Sequence, residues 1–217
     1  MYIVGDRHCR IVVAQPRVPV IALYLRDACG LHRPDDLIPL LDPPCSRWPA
    51  WAHPVAAPAE PQPPVDREAA RTEWFGWWNR LLATDARGEA TTLHPPAFPE
   101  LRPAPQLRRL LQWHYPRAES WTDAICDDPR TSRALVTPRR PLTELIKTLE
   151  SQPDRIPAAF CLRLTVLPVA AKHAWPLADD YILISQTLLA DTDNFLDWLQ
   201  PRANALAWRE GHITLTS

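Results

Sequence analysis

Apolar residues in the middle third of the chain recur at the spacing of one face of a helix. Three sets fit the spacing i, i+3, i+4, i+7. They are Trp74, Trp77, Trp78 and Leu81; Leu107, Leu110, Leu111 and His114; and Leu142, Leu145, Ile146 and Leu149. This spacing predicts three amphipathic helices, the first capped by Asp66 and ending near Ala83. A separate, shorter helix is expected between Pro116 and Pro129, because proline interrupts a helix.

At the two ends of the chain, the apolar residues recur at a shorter spacing. Residues 9–14, 160–169 and 181–188 are apolar, β-branched or alternating, which predicts strands. Residues 2–4 can pair with the first of these through a turn at Gly5. Residues 18–29 could form a buried strand, but Pro19 near the start and Gly30 at the end favour a helix. A last helix is expected from Asp191 or Thr192 to Ala205, with a further strand at residues 213–216.

These elements predict an α+β fold. Strands near both termini form one mostly antiparallel or mixed sheet, and the helical middle region packs on it. Eight of the 24 residues from 43 to 66 are proline, which predicts a semi-rigid linker. The expected organisation is therefore an N-terminal segment 1–42, a proline-rich linker 43–66, and a main region 67–217 that shares its sheet with 1–42.

Composition excludes several classes of enzyme. The chain has five glycines and 26 prolines, and no two glycines are closer than twelve residues. Dinucleotide-binding turns, phosphate-binding loops and Gly-x-Ser-x-Gly elbows all need closer glycines. The sequence therefore indicates no cofactor.

The cysteines and the N-terminal residues indicate a cellular compartment. The five cysteines are scattered without a Cys-x-x-Cys pair, which argues against a disulfide framework. Neither a secretion signal nor a membrane-spanning run is visible. We therefore expect a cytoplasmic protein that does not bind membranes. The 22 arginines against two lysines are typical of a GC-rich bacterial genome.

The charge pattern leaves nucleic-acid binding open as an alternative. The net charge is only −1, but residues 101–147 hold nine basic and five acidic residues. Aromatic residues are interleaved with the arginines, a composition that contacts phosphates and stacks on bases. The candidate residues are Arg108, Arg109, Arg139 and Arg140.

Metal binding and catalysis have weaker support from the residue spacing. Asp191, Asp193 and Asp197 resemble part of a calcium loop, but Leu196 stands where that loop needs glycine, so helix capping explains them better. No histidine or cysteine pair has zinc-ligand spacing, so no metal site is predicted. An enzyme whose site is assembled from distant residues, such as His114 with Asp127 or Asp128, stays a further alternative.

The tryptophan-rich helix carries the leading functional hypothesis. Trp74, Trp77 and Trp78 form a core stripe, or, if they are partly exposed, an anchor for another protein. With no searchable catalytic motif in the chain, we expect a non-catalytic protein that binds another protein. Such a protein would be an accessory, regulatory or immunity-type component in a bacterial cytoplasm, with an unidentified partner protein.

Overall fold

The computed structural model describes residues 1–6, 8–56, 58, 61–152 and 156–209. Two compact units divide the chain. Unit 1 consists of Met1–Gln15, Arg133–Leu167 and Ala171–Ser217, and unit 2 consists of Pro16–Ser132 and Pro168–Ala170. Unit 1 is therefore built from three separate segments, whereas nearly all of unit 2 is one continuous segment.

The strands of unit 1 form one five-stranded mixed sheet in the order β1-β2-β3-β5-β4. Their bounds are Tyr2–Gly5 (β1), Cys9–Ala14 (β2), Phe160–Leu167 (β3), Ala174–Pro176 (β4) and Tyr181–Ser185 (β5). The central pairs β2–β3 and β3–β5 are parallel, and the outer pairs β1–β2 and β4–β5 are antiparallel. The predicted α+β class and the sheet built from both ends of the chain are confirmed.

Three helices pack with one face of this sheet. They are α5 (Arg139–Glu150), α6 (Gln186–Ala190) and α7 (Thr192–Ala207). Alternate strand residues point to them, which is why Ile11, Val13, Leu162, Leu164 and Ile182 share one buried cluster with Leu142, Ile146 and Phe195. The hydrophobic periods of the sequence therefore correspond to real buried faces.

The strand predicted at residues 181–188 is too long. It ends at Ser185, whose hydroxyl accepts a hydrogen bond from the Leu188 N–H at 3.1 Å and caps α6. A serine that can satisfy a free helical N–H starts a helix even inside an apolar run. The expectation for α7 is correct, since Asp191 caps it through the Asn194 N–H at 3.4 Å. The strand expected at residues 213–216 lies outside the described residues.

Three helices form the body of unit 2, namely α1 (Arg17–Ala28), α2 (Arg67–Ala86) and α3 (Pro105–Cys126), and each contacts the other two. Gly30 follows α1 with a φ of 62°, and the Leu31 N–H donates to the Arg26 carbonyl at 2.8 Å. This closure at glycine confirms the helix expected over residues 18–29, which spans Arg17–Ala28. Asp66 caps α2 through the N–H groups of Glu68 and Ala69, as predicted.

The separate helix expected to begin at Pro116 is wrong. α3 is one helix of 22 residues with Pro116 inside it. Pro116 is exposed, so the Gln112 carbonyl that loses its N–H partner there lies on the solvent side of the helix. The buried stripe meanwhile continues through Ala118 and Trp121. A helix α4 (Pro129–Val136) follows and contains the point at which the two units are divided.

The described residues between 43 and 66 form neither helix nor strand. Near the start of this stretch, the Arg47 carbonyl accepts a hydrogen bond from the Trp121 indole at 3.0 Å. The domain boundaries expected from the proline content stay a prediction. In the described part of the chain, no helix is both long enough and apolar enough to cross a membrane.

Candidate functional site

A buried charged pair at the end of α1 holds the loop of residues 36–41, which we call the anchored loop. Arg26 is 1% exposed, and its two terminal nitrogens donate to the carbonyl oxygens of Ile38 and Pro39, each at 2.7 Å. Its Nε donates to Asp27 Oδ1 at 2.7 Å. Asp27 Oδ2 in turn accepts the Leu41 N–H at 2.7 Å. Three charge-assisted hydrogen bonds thus fix the backbone of this loop, and a fourth joins the two side chains that form them.

The anchored loop turns two leucines outward. Ile38 and Leu41 are buried, whereas Leu37 is 74% exposed and Leu40 is 52% exposed. Exposed apolar side chains on a loop that is held rigidly can bind a partner without the cost of ordering the loop. The anchored loop is therefore the best-formed candidate binding feature of unit 2.

The sequence contains a signal for this feature that its periodicity hides. Arg26 and Asp27 are adjacent charges at the end of an apolar helix, just before the terminating Gly30. Such a pair is buried only when its hydrogen bonds are satisfied. The identity of its partners in the loop, 12 to 14 residues further along the chain, could not be read from spacing.

The structure places the three predicted anchor residues in the core of unit 2. Trp74, Trp77 and Trp78 are between 3 and 5% exposed. The Trp74 indole donates to the Ala22 carbonyl at 2.7 Å and stacks on Trp78 with ring centroids 5.5 Å apart. A partner could reach these indoles only by displacing the residues around them, so their part in binding stays a prediction. Phe75, which follows Trp74, is 43% exposed.

The four candidate arginines fall into two pairs on two helices. Arg108 and Arg109 lie on α3 of unit 2, with Arg108 half-buried and Arg109 exposed. Arg139 and Arg140 are exposed at the start of α5 in unit 1. The Arg139 guanidinium lies 6.0 Å from the centroid of the Tyr2 ring. Nucleic-acid binding by these arginines stays a prediction.

Comparison with known proteins gives no further guide. No family model, curated protein or solved structure significantly matches the chain. A function therefore has to be inferred from the residues and their geometry.

Three acidic residues, Asp36, Asp128 and Asp191, have carboxylates engaged in turns and caps. Asp128 accepts the Arg130 N–H at 2.7 Å, and Asp36 accepts the Arg33 N–H at 3.0 Å. Asp191 caps α7 and pairs with Lys172, and these contacts hold the pKa of its carboxyl below its usual value. Among the described residues, no group of three or more histidine, cysteine or acidic side chains could hold a metal ion.

An open depression of about 610 Å³ lies beside the Lys172–Asp191 pair. It is lined by Lys172, Thr187, Ala190, Asp191, Thr192 and Asp193. The ammonium and the carboxylate in it already neutralise each other. The third charged residue of the lining, Asp193, lies in the first turn of α7, so the depression is formed by helix caps and an ion pair.

His114 and Asp127 cannot form the catalytic pair that the sequence left open. Asp127 follows His114 by 13 residues at the end of the same helix, a rise of about 20 Å. Two separate helices would have allowed His114 and Asp127 to come together, but the continuous α3 keeps them apart. His114 is buried with neither ring nitrogen hydrogen-bonded to a described residue, and burial with the nearby Arg117 lowers its pKa to about 4.

The cysteine environments oppose nucleophilic chemistry. Burial raises the pKa of the Cys29 thiol to about 12, and it also raises the thiol pKa of Cys9, Cys45 and Cys126. A raised pKa leaves less of the reactive thiolate at neutral pH. Cys161 is half-buried, and Arg10 Nε donates to its sulfur at 3.3 Å.

Proposed function

We propose that the protein works as a non-catalytic component that binds another protein through the anchored loop. The observation that carries this proposal is the set of hydrogen bonds from Arg26 and Asp27, which hold residues 36–41 while Leu37 and Leu40 face solvent. A loop that is already held in one conformation loses less entropy when a partner binds it. The proposal suits an accessory, regulatory or immunity-type role in a bacterial cytoplasm.

The buried charges of Arg26 and Asp27 act on the backbone of the loop. A buried ion pair often contributes little net stability compared with apolar residues of the same size. Arg26 nevertheless directs its guanidinium to the backbone of a loop that leaves Leu37 and Leu40 outside the core. A selected need for a fixed loop conformation explains this arrangement better than a need for stability.

The surrounding chemistry agrees with binding better than with catalysis. Four of the five cysteines have raised thiol pKa values, and burial keeps His114 neutral at pH 7. Leu37 and Leu40, in contrast, need no activation, because burial of an exposed leucine releases about 1.5–3 kcal/mol in itself.

The test places a photo-crosslinking amino acid at Leu37 or Leu40 in the producing bacterium. We expect one and the same protein to be captured from both positions. Leu177 in unit 1 is 42% exposed and serves as the matched control position. Substitution of the other leucine by Asp should abolish capture, because it removes one apolar anchor. Adducts from neither loop position, or the same adducts from Leu177, would overturn the proposal.

A parallel measurement addresses the nucleic-acid alternative. The fourfold variant replaces Arg108, Arg109, Arg139 and Arg140 by Ala. If the protein binds oligonucleotides at low salt and this variant does not, the result would favour that alternative. If the anchored loop is the functional surface, the same fourfold variant should retain the protein adduct at Leu37.

A further inference from the structure

Among the described strands, β1 bounds one side of the sheet. β1 pairs with β2 on one side and with no other described strand, so its outward backbone groups have no strand partner within the described residues. Ile3, at the centre of this edge, is 47% exposed. An exposed edge strand with an apolar side chain is a template for pairing with another strand.

Helix α5 lies along this edge and gives it opposite charges at its two ends. Arg139, at the start of α5, lies over the ring of Tyr2 at the start of β1. A Cβ at Gly5, the end of β1, would be 3.3 Å from Ile146 of α5. The helix therefore runs alongside β1 in the same direction.

Glu150, the last residue of α5, lies at the acidic end of this edge. It follows Arg139 by 11 residues, which brings it back to nearly the same side of the helix. The two charges are about 16 Å apart, close to the roughly 13 Å length of a four-residue strand. Glu150 is exposed, and so is Arg139. The edge is thus basic beside Tyr2 and acidic beyond Gly5.

A strand edge with this polarity is complementary to itself. Two identical strands related by a two-fold axis pair antiparallel, so the basic end of one lies beside the acidic end of the other. Strand neighbours are about 4.8 Å apart. Because α5 contacts both β1 and β2, such a pair would bring the two α5 helices to about 10 Å from each other, which is a normal helix packing distance.

We infer that the partner of the β1 edge is a second copy of this chain, which extends the five-stranded sheet into a ten-stranded one. Arg139 of each copy then faces Glu150 of the other. This inference is independent of the anchored loop, which lies in unit 2.

Sedimentation velocity of the full chain from 1 to about 200 μM tests the association. We expect a monomer–dimer equilibrium that Ile3→Lys shifts at least about tenfold toward monomer, because it places two like charges in the pairing edge. Leu177→Lys, an equally exposed leucine outside β1, should leave the equilibrium unchanged. A monomer throughout this range, or equal effects of the two lysines, would overturn the inference.

Charge-reversal variants test the antiparallel arrangement. Arg139→Glu alone places two carboxylates together at each end of the paired edge, and Glu150→Arg alone places two guanidinium groups together, so each should weaken its own dimer about tenfold. An equimolar mixture of the two variants forms a mixed dimer with opposite charges restored at both ends, and the mixture should associate more tightly than either variant alone. Circular dichroism spectra and melting temperatures show that each variant is folded. A mixture that associates no better than its components would contradict the arrangement.

The double variant Arg139→Glu with Glu150→Arg exchanges the two charges within one chain. It restores opposite charges at both ends of its own dimer, so it should associate about as tightly as the unsubstituted chain. A double variant as weak as either single variant would contradict the pairing of Arg139 with Glu150. Asp substitutions at Leu37 and Leu40 should leave the dimer intact, which separates this inference from the proposed function.

Discussion

Gly5 and Gly76 hold two different backbone conformations, and the same substitution should have opposite effects on them. Gly5 has a φ of +90°, and a Cβ there would lie 1.9 Å from the Cys9 carbonyl oxygen. Gly76 lies inside α2, where a Cβ would be 3.6 Å from the flexible end of Arg80. The first position requires glycine, whereas the second tolerates a side chain.

We expect Gly5→Ala to lower the free energy of unfolding by at least about 2 kcal/mol, because either the β1–β2 turn or the Cys9 carbonyl must shift. Gly76→Ala should raise it by about 0.5–1 kcal/mol, since alanine is the better helix former. Urea denaturation followed by circular dichroism measures both. Equal changes at the two positions would show that the Cys9 contact is unimportant.

His114 should make stability depend on pH in a defined window. Burial lowers its pKa from 6.5 to about 4 in the folded chain, so the unfolded chain binds more protons between these values. The stability due to neutral His114 is complete above pH 6.5 and is lost as the pH falls toward 4. The loss amounts to about 3 kcal/mol. His114→Leu should flatten the profile of unfolding free energy against pH in this window.

Thr122 provides the control for this pH profile. Its hydroxyl is also buried without a hydrogen bond to a described residue, but it does not titrate. Thr122→Val should therefore shift the whole curve and leave its slope between pH 4 and 6.5 unchanged. A His114→Leu profile parallel to that of the unsubstituted protein would contradict the assignment.

Spacing predicted the side of the helix on which His114 lies, but not the state of its ring. An apolar stripe through Leu107, Leu110 and Leu111 fixes that side from sequence alone. Whether a donor or acceptor meets the ring depends on side chains of other helices, and spacing within one helix carries no information about them. The two loop carbonyls that Arg26 binds were equally unpredictable, because spacing within α1 carries no information about a loop 12 and 13 residues further along.

At the scale of elements, α3 shows that the position of a proline decides its effect. Pro105 occupies the first turn of α3, where its missing N–H would have no intrahelical partner anyway. Pro116 is in the interior and removes a hydrogen bond that α3 could otherwise form. Both prolines are visible in the sequence, but whether packing on either side of Pro116 outweighs the lost bond is a tertiary property.

We expect Pro116→Ala to raise the melting temperature, with a gain of about 1 kcal/mol, because the Gln112 carbonyl regains an N–H partner. This gain is smaller than the full helix penalty of proline, since alanine also adds freedom to the unfolded chain. Pro105→Ala should be neutral or slightly destabilising. A loss of stability at Pro116 would contradict this expectation.

The anchored loop should depend on Arg26 far more than on an exposed arginine. Arg26→Met leaves Asp27 as a buried charge without its partner and two carbonyls without donors, so we expect a loss of about 3–5 kcal/mol. Arg33→Met removes an exposed pair with Glu68 and should cost less than about 1 kcal/mol. Thermal unfolding gives both values. Hydrogen exchange of the Leu41 amide, which is bonded to Asp27, should accelerate only in the Arg26 variant.

At the scale of the whole molecule, the arrangement of the sheet was only partly predictable. Alternation identified strands at both ends of the chain, and their membership of one sheet followed from the need to bury their apolar faces. The order of the strands did not follow, because β2 pairs with β3 across about 150 positions, from Cys9 to Phe160. Periodicity is local and cannot choose between partners at such a distance. The interruption of unit 1 by unit 2 could not be predicted for the same reason.

This interruption predicts the order of folding. The helices α1 to α3 of unit 2 lie in one continuous segment, whereas the centre of the sheet must close a loop of about 150 residues before β2 and β3 gain any contact. Pulse-labelling hydrogen exchange with mass spectrometry during refolding should therefore show protection of α1, α2 and α3 before β2 and β3. The β1–β2 hairpin is local in sequence but is marginal alone, so its protection should coincide with that of β3. Gly5→Ala should slow the second phase and leave the first unchanged, because Gly5 lies in unit 1. Protection of β2 and β3 before the three helices would contradict this order.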